Sequence, residues 1–328
     1  MENNNYKNLP VYVLCPGNAE SGGPELLHQL VDSLRKINIK ASIVYYPFDE
    51  SFNKPKKFEE YNAPQIKYSD IIKGKIIVSE VSTKLIKYFK GHEIIIWWAS
   101  IDFYFGIAKD YVLLDLMRYF RSLFFRRLPL FRLKKYKHYC QSLYAQNFLR
   151  NKGINAEILS DYLNKSYNTR PITKRKNLIT YNPSKGINVT NALINANPDF
   201  EFVPIQNMTP HEVSTLLSSS KIYIDFGNHP GKDRMPREAA LSGCCVITGI
   251  KGSAGFDDIL IPSRYKINDI KVNYKSNHFN AQFRKLVSHI FKNYDICAEE
   301  FNHYRETISK EEMVFNEQVK KLFGEKYE

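Results

Sequence analysis

Lysine and glutamate side chains stand at two places in the second half of the chain where a ligand could bind. Lys185, followed by Gly186, comes after the apolar run 177–181, and Glu238 comes after the apolar run 222–226 and a polar loop. Open parallel α/β sheets bind ligands beyond the carboxyl ends of their strands, at the N-termini of the helices that follow. An ammonium group suits an anion as a point charge, and a glycine lets the backbone approach it. The pattern therefore favours an anion-binding site around Lys185 and Gly186, the alternative being a turn with a solvated lysine.

The segment 221–249 must position part of this site. Its apolar run 222–226 has the length of a strand, Pro236 stands near the start of a helix-sized piece, and Gly243 ends that piece. Proline is tolerated in the first turn of a helix, and glycine is frequent just after its end. A further apolar run, 245–247, follows. The order strand, loop, helix, strand indicates one turn of a parallel α/β winding.

The stretch 237–247 carries a resemblance to a known family. Its sequence, Arg-Glu-Ala-Ala-Leu-Ser-Gly-Cys-Cys-Val-Ile, resembles the Glu-Ala-hydrophobic-Ala-x-Gly-x-Pro-Val-Ile segment of nucleotide-sugar glycosyltransferases with the GT-B fold. The resemblance implies that Glu238 accepts hydrogen bonds from the ribose hydroxyls of the nucleotide. Cys245 stands where the family usually has proline, and Pro230 stands where its retaining branch often has a second glutamate. Retention and inversion at the anomeric centre therefore both stay open.

The same resemblance assigns residues to the diphosphate and the base of the donor. In GT-B transferases a Lys-Gly pair in the first loop of the donor domain and nearby basic residues hold the diphosphate. A polar loop after the next strand often contacts the base. The corresponding residues here are, for the diphosphate, Lys185, Gly186, Lys232 and Arg234 and, for the base, Asn207.

A glycine-rich loop, 16–25, follows the first apolar run of the chain, 11–15. Leucines and a valine then recur at helical spacing over 26–34, so the loop lies at a strand–helix junction. Such a loop offers free amides to an anion, although the dinucleotide fingerprint Gly-x-Gly-x-x-Gly is absent. Gly22 and Gly23 resemble the Gly-Gly-x-Glu of the first loop of GT-B glycosyltransferases, which faces the interdomain cleft in that family.

A carboxylate follows the two tryptophans of the chain. The apolar run 93–99 contains Trp97 and Trp98, and Asp102 comes just beyond it. Sugar sites combine aromatic surfaces with a few polar groups, and a carboxylate there can act as a general base. The segment Trp-Trp-x-Ser-x-Asp is similar to one in bacterial surface-polysaccharide glycosyltransferases. Asp102 is therefore the predicted catalytic base and Glu20 the competing candidate; alternatively, the tryptophans fill the core and Asp102 caps a helix.

The length of 328 residues allows two domains with separate cores. Residues 164–176 are polar and basic, lack apolar periodicity and are interpreted as a linker. We predict an acceptor-binding domain over 1–164, a donor-binding domain over 165–305 and a helix over 306–328 that returns to the first domain. The resemblance implies an α/β fold in which two Rossmann-like domains face each other across a cleft.

Cysteine and histidine usage bears on metals and on the compartment. The five cysteines form no Cys-x-x-Cys pair, and the eight histidines are scattered. We therefore expect no metal site and no cofactor, the nucleotide-sugar donor being a substrate. No run approaches the roughly 20 apolar residues of a membrane-spanning helix, and the N-terminus lacks the apolar core of a signal peptide. These features favour a reduced, cytoplasmic protein.

Positive charge is concentrated in one stretch. The net charge is +13, and residues 116–156 hold ten lysines and arginines and no acid. Aromatic residues are interleaved with the basic ones. We predict a helix over 110–131 and expect 118–138 to contact the anionic inner face of the cell membrane. The alternatives are a solvated helix edge and a nucleic-acid site, although no helix-turn-helix, zinc or RNA-recognition motif is visible.

These observations favour one function over two others. The favoured function is transfer of a sugar from a nucleotide-sugar donor to a glycan or lipid-linked acceptor, as in the synthesis of capsule or lipopolysaccharide. A sugar-nucleotide 2-epimerase shares the two-domain architecture but needs no basic, membrane-seeking surface. A nucleic-acid-binding protein would use the basic stretch alone, and we expect no nucleic-acid partner.

Overall fold

Two parallel α/β units make up the structure. The first unit contains the described residues up to Asp161 and from Glu312 onward, and the second unit is Tyr162–Glu311. Each unit has its own sheet, with six strands in the first and four in the second, and the described strands pair in parallel. The predicted α/β fold class is therefore confirmed. The computed structural model describes residues 9–106, 121, 126–164, 174–269 and 273–324.

The first sheet has the strand order β2-β1-β3-β4-β5-β6. Its central strands are near-continuous apolar runs because both faces of a parallel sheet are covered. The strands are β1 (Val11–Pro16), β2 (Ala41–Tyr46), β3 (Lys75–Ser79), β4 (Glu93–Trp98), β5 (Lys137–Cys140) and β6 (Glu157–Ile158). The helices are α1 (Gly22–Lys36), α2 (Ile101–Phe105), α3 (Leu130–Leu133) and α4 (Leu143–Asn151), and a 3₁₀ segment covers Glu80–Tyr88.

The second sheet has the strand order β10-β9-β7-β8. Its two inner strands, β7 and β9, are direct neighbours, so the loops that follow them leave the sheet side by side. The strands are β7 (Lys176–Tyr181), β8 (Glu201–Pro204), β9 (Ser220–Asp225) and β10 (Cys245–Thr248). The helices are α5 (Ile187–Ala196), α6 (Pro210–Ser219), α7 (Arg234–Leu241), α8 (Asn277–Lys292), α9 (Tyr294–Glu299) and α10 (Asn302–Ser309).

The C-terminal helix, α11 (Glu311–Phe323), packs on the first unit after the chain has completed the second. Phe315 stacks on Trp97 with ring centroids 6.4 Å apart, and Phe323 meets Tyr139 edge-on at 5.4 Å. Gln318 Oε1 accepts a hydrogen bond from the Ser160 amide at 2.8 Å. The helix thus returns to the first unit, as the sequence predicts, and its apolar face covers β4 and β5.

Local signals in the sequence specify several of these elements. Thr209 and Glu212 form the capping box of α6, with Glu212 Oε2 accepting from the Thr209 amide at 2.7 Å. The 3₁₀ segment Glu80–Tyr88 is interrupted at Ser82. The helix predicted over 110–131 lies outside the described residues except for Arg121 and 126–131.

Two properties of the described residues bear on the environment of the protein. Within the part of the chain that the structure describes, no helix is both long and apolar enough to span a bilayer. The five cysteines are all unpaired and buried. Burial raises the pKa of the Cys244 thiol to about 12, so this thiol stays protonated at neutral pH.

Candidate functional site

The loops after β7 and β9 pack backbone against backbone at the carboxyl edge of the second sheet. Gly186 has a φ of +56°, and a Cβ there would lie 2.4 Å from the carbonyl carbon of Phe226. A Cβ on Gly227 would lie 2.4 Å from the Cβ of Lys185. Both positions therefore require glycine for the contact between loops. The sequence assigned Gly186 to the approach of a ligand, whereas the structure gives it a packing role.

A chain of alternating charges runs from the interior to the surface at this edge. Lys185 Nζ lies 2.5 Å from Asp233 Oδ2, and His229 Nδ1 lies 2.7 Å from the same oxygen. His229 Nε2 lies 3.7 Å from Asp225 Oδ1, and the imidazole is 0 % exposed. Neither ring nitrogen has good hydrogen-bond geometry, so the attraction between His229 and the two carboxylates is chiefly electrostatic. Lys185, with 29 % of its side chain exposed, is the outermost member.

The pKa values follow from this alternation. Burial lowers the pKa of His229, but Asp225 and Asp233 raise it further, so the net pKa is above its ordinary value. Burial raises the pKa of Asp233, but His229 and Lys185 outweigh it and bring the pKa to about 2. Burial also lowers the pKa of Lys185, and Asp233 and Asp225 raise it above the ordinary value. The neighbouring carboxylates therefore favour the protonated forms of His229 and Lys185, and these two groups favour the ionised form of Asp233.

Asp225, His229 and Asp233 also have the atom types that bind divalent metals, and these atoms lie within 4.8 Å of one another. Sequence reasoning missed this cluster because it treated the histidines as scattered, although Asp225, His229 and Asp233 follow one another at a spacing of four residues. Asp233 of this cluster is already paired with the Lys185 ammonium. A divalent cation bound there would meet the Lys185 ammonium 2.5 Å from Asp233, where the two positive charges would repel each other.

Arg237 fixes the course of the loop after β9. Its guanidinium is fully buried and donates to the carbonyls of Lys232 at 2.8 Å and Asp233 at 3.0 Å. It also donates to Glu311 Oε2 at 2.8 Å. Lys232 Nζ lies 2.7 Å from the other oxygen of Glu311. Lys232, which the family resemblance assigns to the diphosphate, thus shares the buried carboxylate of Glu311 with Arg237.

Helix α7 carries the remaining donor-site candidates. Asp233 is its N-cap residue, and Arg234 and Glu238 lie one turn apart on it, with Arg234 Nε 3.4 Å from Glu238 Oε1. Lys185 therefore contacts the residue that begins the helix bearing Arg234 and Glu238. Lys185 and Arg234 thus lie at one helix N-terminus, where amides and dipole favour an anion, and Glu238 lies one turn further along the helix. Asn207 is exposed after β8, with a φ of +55°.

The predicted catalytic carboxylate of the first unit lies in a hydrogen-bonded turn. Asp102 is 5 % exposed, and its Oδ1 accepts from the Tyr144 hydroxyl at 2.9 Å. The N-cap of α2 is Ser100, whose Oγ accepts from the Phe103 amide at 3.0 Å. Asp102 is therefore not the capping residue that the alternative interpretation required.

The tryptophans are core residues, and the predicted sugar platform is wrong. Trp97 and Trp98 are 1 % and 0 % exposed. Trp97 Nε1 donates to the Leu159 carbonyl at 2.9 Å, and Trp98 Nε1 donates to His138 Nδ1 at 3.0 Å. Their ring area and polar atoms are thus both used within the first unit.

Glu80 is a buried carboxylate that sequence reasoning missed. Its oxygens accept from the amides of Ala99 at 3.1 Å and Ser100 at 3.2 Å and from the Ser79 hydroxyl at 2.9 Å. Burial raises the pKa of Glu80 to about 7 despite these hydrogen bonds. Glu80 therefore holds the turn that leads from β4 to Asp102.

The first loop of the chain presents an open helix end. Gly22 and Gly23 are exposed and begin α1, a helix of 15 residues whose N-cap, Ser21, makes no side-chain capping bond. Glu20 is exposed just before it. The first-turn amides of α1 are thus not covered by a capping side chain.

Comparison with known proteins establishes the fold. No family model matches the sequence, and no curated protein sequence matches it. Sucrose-phosphate synthase from Thermosynechococcus elongatus superposes with a TM-score of 0.64 at 10 % identity, covering 96 % of this chain and 98 % of that one. A glycosyltransferase from Rickettsia africae superposes with a TM-score of 0.61 at 14 % sequence identity, covering 96 % of this chain and 97 % of that one. WaaG, a glycosyltransferase involved in lipopolysaccharide biosynthesis, has a TM-score of 0.61 at 11 % sequence identity, covering 95 % of this chain and 99 % of that one. The chain thus has the fold of GT-B glycosyltransferases.

The packing of the loops after β7 and β9 can be tested with a pair of glycine variants. Gly186→Ala should lower the free energy of unfolding of the second unit by roughly 1 to 3 kcal/mol from its left-handed backbone alone. Gly23→Ala should leave stability unchanged, because nothing lies within 4 Å of a Cβ there. Scanning calorimetry would measure both. A Gly186→Ala protein as stable as the wild type would contradict the packing role.

The raised pKa of Glu80 makes a prediction about pH. The folded state keeps the proton up to about pH 7, whereas the unfolded chain loses it near the ordinary glutamate pKa of 4.5. The unfolding free energy should therefore fall as pH rises from 4.5 to 7, by at most about 3 kcal/mol. Glu80→Gln should remove this decline, and the exposed Glu59→Gln should retain it.

Tryptophan fluorescence is the suitable readout, because both tryptophans lie in the first unit. Chemical unfolding would be followed at several pH values across this window. Equal pH dependence in wild type and Glu80→Gln would show that the Glu80 carboxyl is not perturbed.

Proposed function

We propose that this chain is a glycosyltransferase that moves a sugar from a nucleotide-sugar donor to a glycan or lipid-linked acceptor. The observation that carries the proposal is the meeting of Lys185 with the N-terminus of α7, the helix bearing Arg234 and Glu238. An ammonium, a guanidinium and helix amides suit a diphosphate, and a carboxylate one turn further suits ribose hydroxyls. The GT-B fold also supports the proposal of a glycosyltransferase.

The donor half of the reaction follows from these groups. When the bond between sugar and diphosphate breaks, negative charge develops on the leaving diphosphate. Lys185, Arg234 and the positive end of the α7 dipole would offset that charge without moving. Glu238 would orient the nucleotide by accepting from its ribose. We propose that side chains and the helix dipole replace a metal ion in this step.

The acceptor half needs a group that removes a proton from the attacking hydroxyl. Asp102 is proposed for this role, because it follows β4 at the carboxyl edge of the first sheet and receives a hydrogen bond from Tyr144. Burial raises the pKa of the Tyr144 hydroxyl, so this group stays a donor to Asp102 at neutral pH. Glu80 would hold the turn, and Glu20 remains the rival base.

A basic groove in the first unit supports a membrane-associated acceptor. The groove has a volume of about 970 Å³. Phe131 on its rim is 70 % exposed, and burying that ring among headgroups would be favourable. None of the described residues lining the groove is acidic, and six are basic: Lys84, Lys87, Lys90, Arg132, Lys134 and Lys135.

The groove lies near the amino ends of β4 and β5, since Ile94 and Tyr136 line it. It is thus at the edge of the sheet opposite to Asp102. We propose that it rests on anionic lipid at the cytoplasmic face of the cell membrane. It extends the basic stretch 118–138 with lysines from the 3₁₀ segment, and the likeness in fold to WaaG is consistent with a surface-glycan acceptor.

Nucleotide binding through Glu238 is the first test. UDP, GDP, dTDP and CMP, free and as sugar conjugates, would be screened by thermal shift in EDTA. A ligand at 100 times its dissociation constant adds about 2.7 kcal/mol to the unfolding free energy. Glu238→Ala should abolish that shift while the protein stays folded, and the exposed Glu306→Ala should keep it. Unchanged nucleotide affinity in folded Glu238→Ala, or binding that requires a divalent metal, would refute the assignment.

Turnover with the best donor would test Asp102. Asp102→Asn should leave donor binding intact and reduce turnover by roughly two to four orders of magnitude. Tyr144→Phe removes only the hydrogen bond to the base and should have a smaller effect. Near-normal turnover in Asp102→Asn with a large loss in Glu20→Gln would transfer the role to Glu20. Isomerisation of the donor sugar without an acceptor would instead indicate a 2-epimerase.

Vesicle binding would test the basic groove. The double variant Lys87→Glu with Lys135→Glu should weaken binding to phosphatidylglycerol vesicles by at least roughly tenfold, since each surface lysine contributes about 1 kcal/mol. The matched control is Lys285→Glu with Lys310→Glu, two exposed lysines of the second unit. Phosphatidylcholine vesicles, which carry no net charge, should bind neither of the two double variants. Tighter retention on RNA than on anionic vesicles at equal salt would contradict the membrane proposal.

A further inference from the structure

His229 is a buried ionisable residue that the proposed donor chemistry does not use. Its imidazole is 0 % exposed, lies 2.7 Å from Asp233 Oδ2 and faces Asp225 Oδ1 at 3.7 Å. Asp225 also accepts from the Gly227 amide at 2.9 Å and from the Tyr223 hydroxyl at 3.1 Å, so its position is set from within the sheet. Full burial means that His229 cannot touch a substrate. Any role in binding must be exerted through Asp233.

Asp233 presents a problem for an anion site. Its carboxylate holds Lys185 Nζ at 2.5 Å, which orients the ammonium but also offsets its charge. An isolated Lys–Asp pair is neutral and attracts a diphosphate weakly. A positive charge on the far side of Asp233 changes this balance, because the carboxylate is then shared between two cations.

We propose that His229 is a positioning residue that keeps a positive charge against Asp233, so that Asp233 can anchor Lys185 without cancelling its attraction for a diphosphate. The inference rests on the proposed function, in which Lys185 binds the donor diphosphate. It adds a reason why a carboxylate stands next to a phosphate-binding lysine.

The backbone around His229 is held firmly enough for this role. The His229 carbonyl accepts from the Ser253 amide at 2.8 Å, and the Ser253 hydroxyl donates to the Gly231 carbonyl at 2.6 Å. Arg237 fixes the end of the same loop through the carbonyls of Lys232 and Asp233. The loop is therefore tied at both ends, and the charge chain is organised before a ligand arrives.

The experiment measures binding of inorganic pyrophosphate to the full chain by calorimetry at fixed pH and salt. Pyrophosphate carries the charge of the donor without its base or sugar. Lys185→Ala should lose binding, and His229→Asn should weaken it roughly tenfold, because the charge on Asp233 is no longer balanced. The double variant His229→Asn with Asp233→Asn restores the charge balance and should recover most of the affinity. His303→Asn, at an exposed position, is the matched control.

A purely structural role would give a different pattern. If His229→Asn only disturbed the fold, the double variant would not recover, and affinity for a phosphate-free nucleoside would fall as much as that for pyrophosphate. Nitrogen NMR of the wild type provides a measurement that does not depend on how the variants fold. Both ring nitrogens of His229 should carry protons at neutral pH, and a neutral ring would overturn the proposal.

The outcomes also separate this inference from the proposed function. If pyrophosphate binding requires Lys185 but His229→Asn binds it like the wild type, the inference fails and the donor-site proposal stands. If the wild type binds neither a nucleoside diphosphate nor pyrophosphate, the proposed function fails, and this inference fails with it.

Discussion

The buried guanidinium of Arg237 is the interaction on which the candidate donor site depends. A charge without solvent is tolerated only when it is paired and fully hydrogen-bonded, and Arg237 meets that condition through Glu311 and two loop carbonyls. Those carbonyls belong to Lys232 and Asp233, the residues just before α7. The helix N-terminus, the anchor of Lys185 and the course of the loop are therefore set by one side chain that no ligand can reach.

The two units share a parallel α/β topology but carry different side chains at the carboxyl edges of their sheets. Each places its polar residues at the carboxyl edge of a parallel sheet, where the strands end and helix N-termini begin. In the second unit this edge collects cations and a chain of balanced charges around Lys185. In the first unit it collects carboxylates, Glu80 and Asp102, held by amides and a tyrosine hydroxyl. Cations suit an anionic donor, and carboxylates suit deprotonation of an acceptor.

The sequence was sufficient to predict features that depend on residues close to one another along the chain. Apolar runs and the Thr209 capping box were predictable, because each depends on neighbouring residues, whereas the return of the C-terminal helix was implied by the family resemblance. Contacts between distant segments were not predictable. The burial of Trp97 and Trp98 depends on Leu159, His138 and a helix from the end of the chain. The residues Asp225, His229 and Asp233 are close in sequence, but their cluster still depends on how the loop after β9 folds back on that strand. Glu80 appears in no motif, because its partners are backbone amides.

The complete burial of all five cysteines has a practical consequence. A shielded thiol does not react with alkylating agents, so the described residues of the folded protein present no accessible thiol. Cys15 and Cys140 become accessible only when the first unit opens, and Cys244, Cys245 and Cys297 only when the second does. The rate at which Cys15 and Cys140 are modified thus reports the opening of the first unit, and the rate for the other three cysteines reports the opening of the second. A cysteine introduced on the surface would accept a label at that one position.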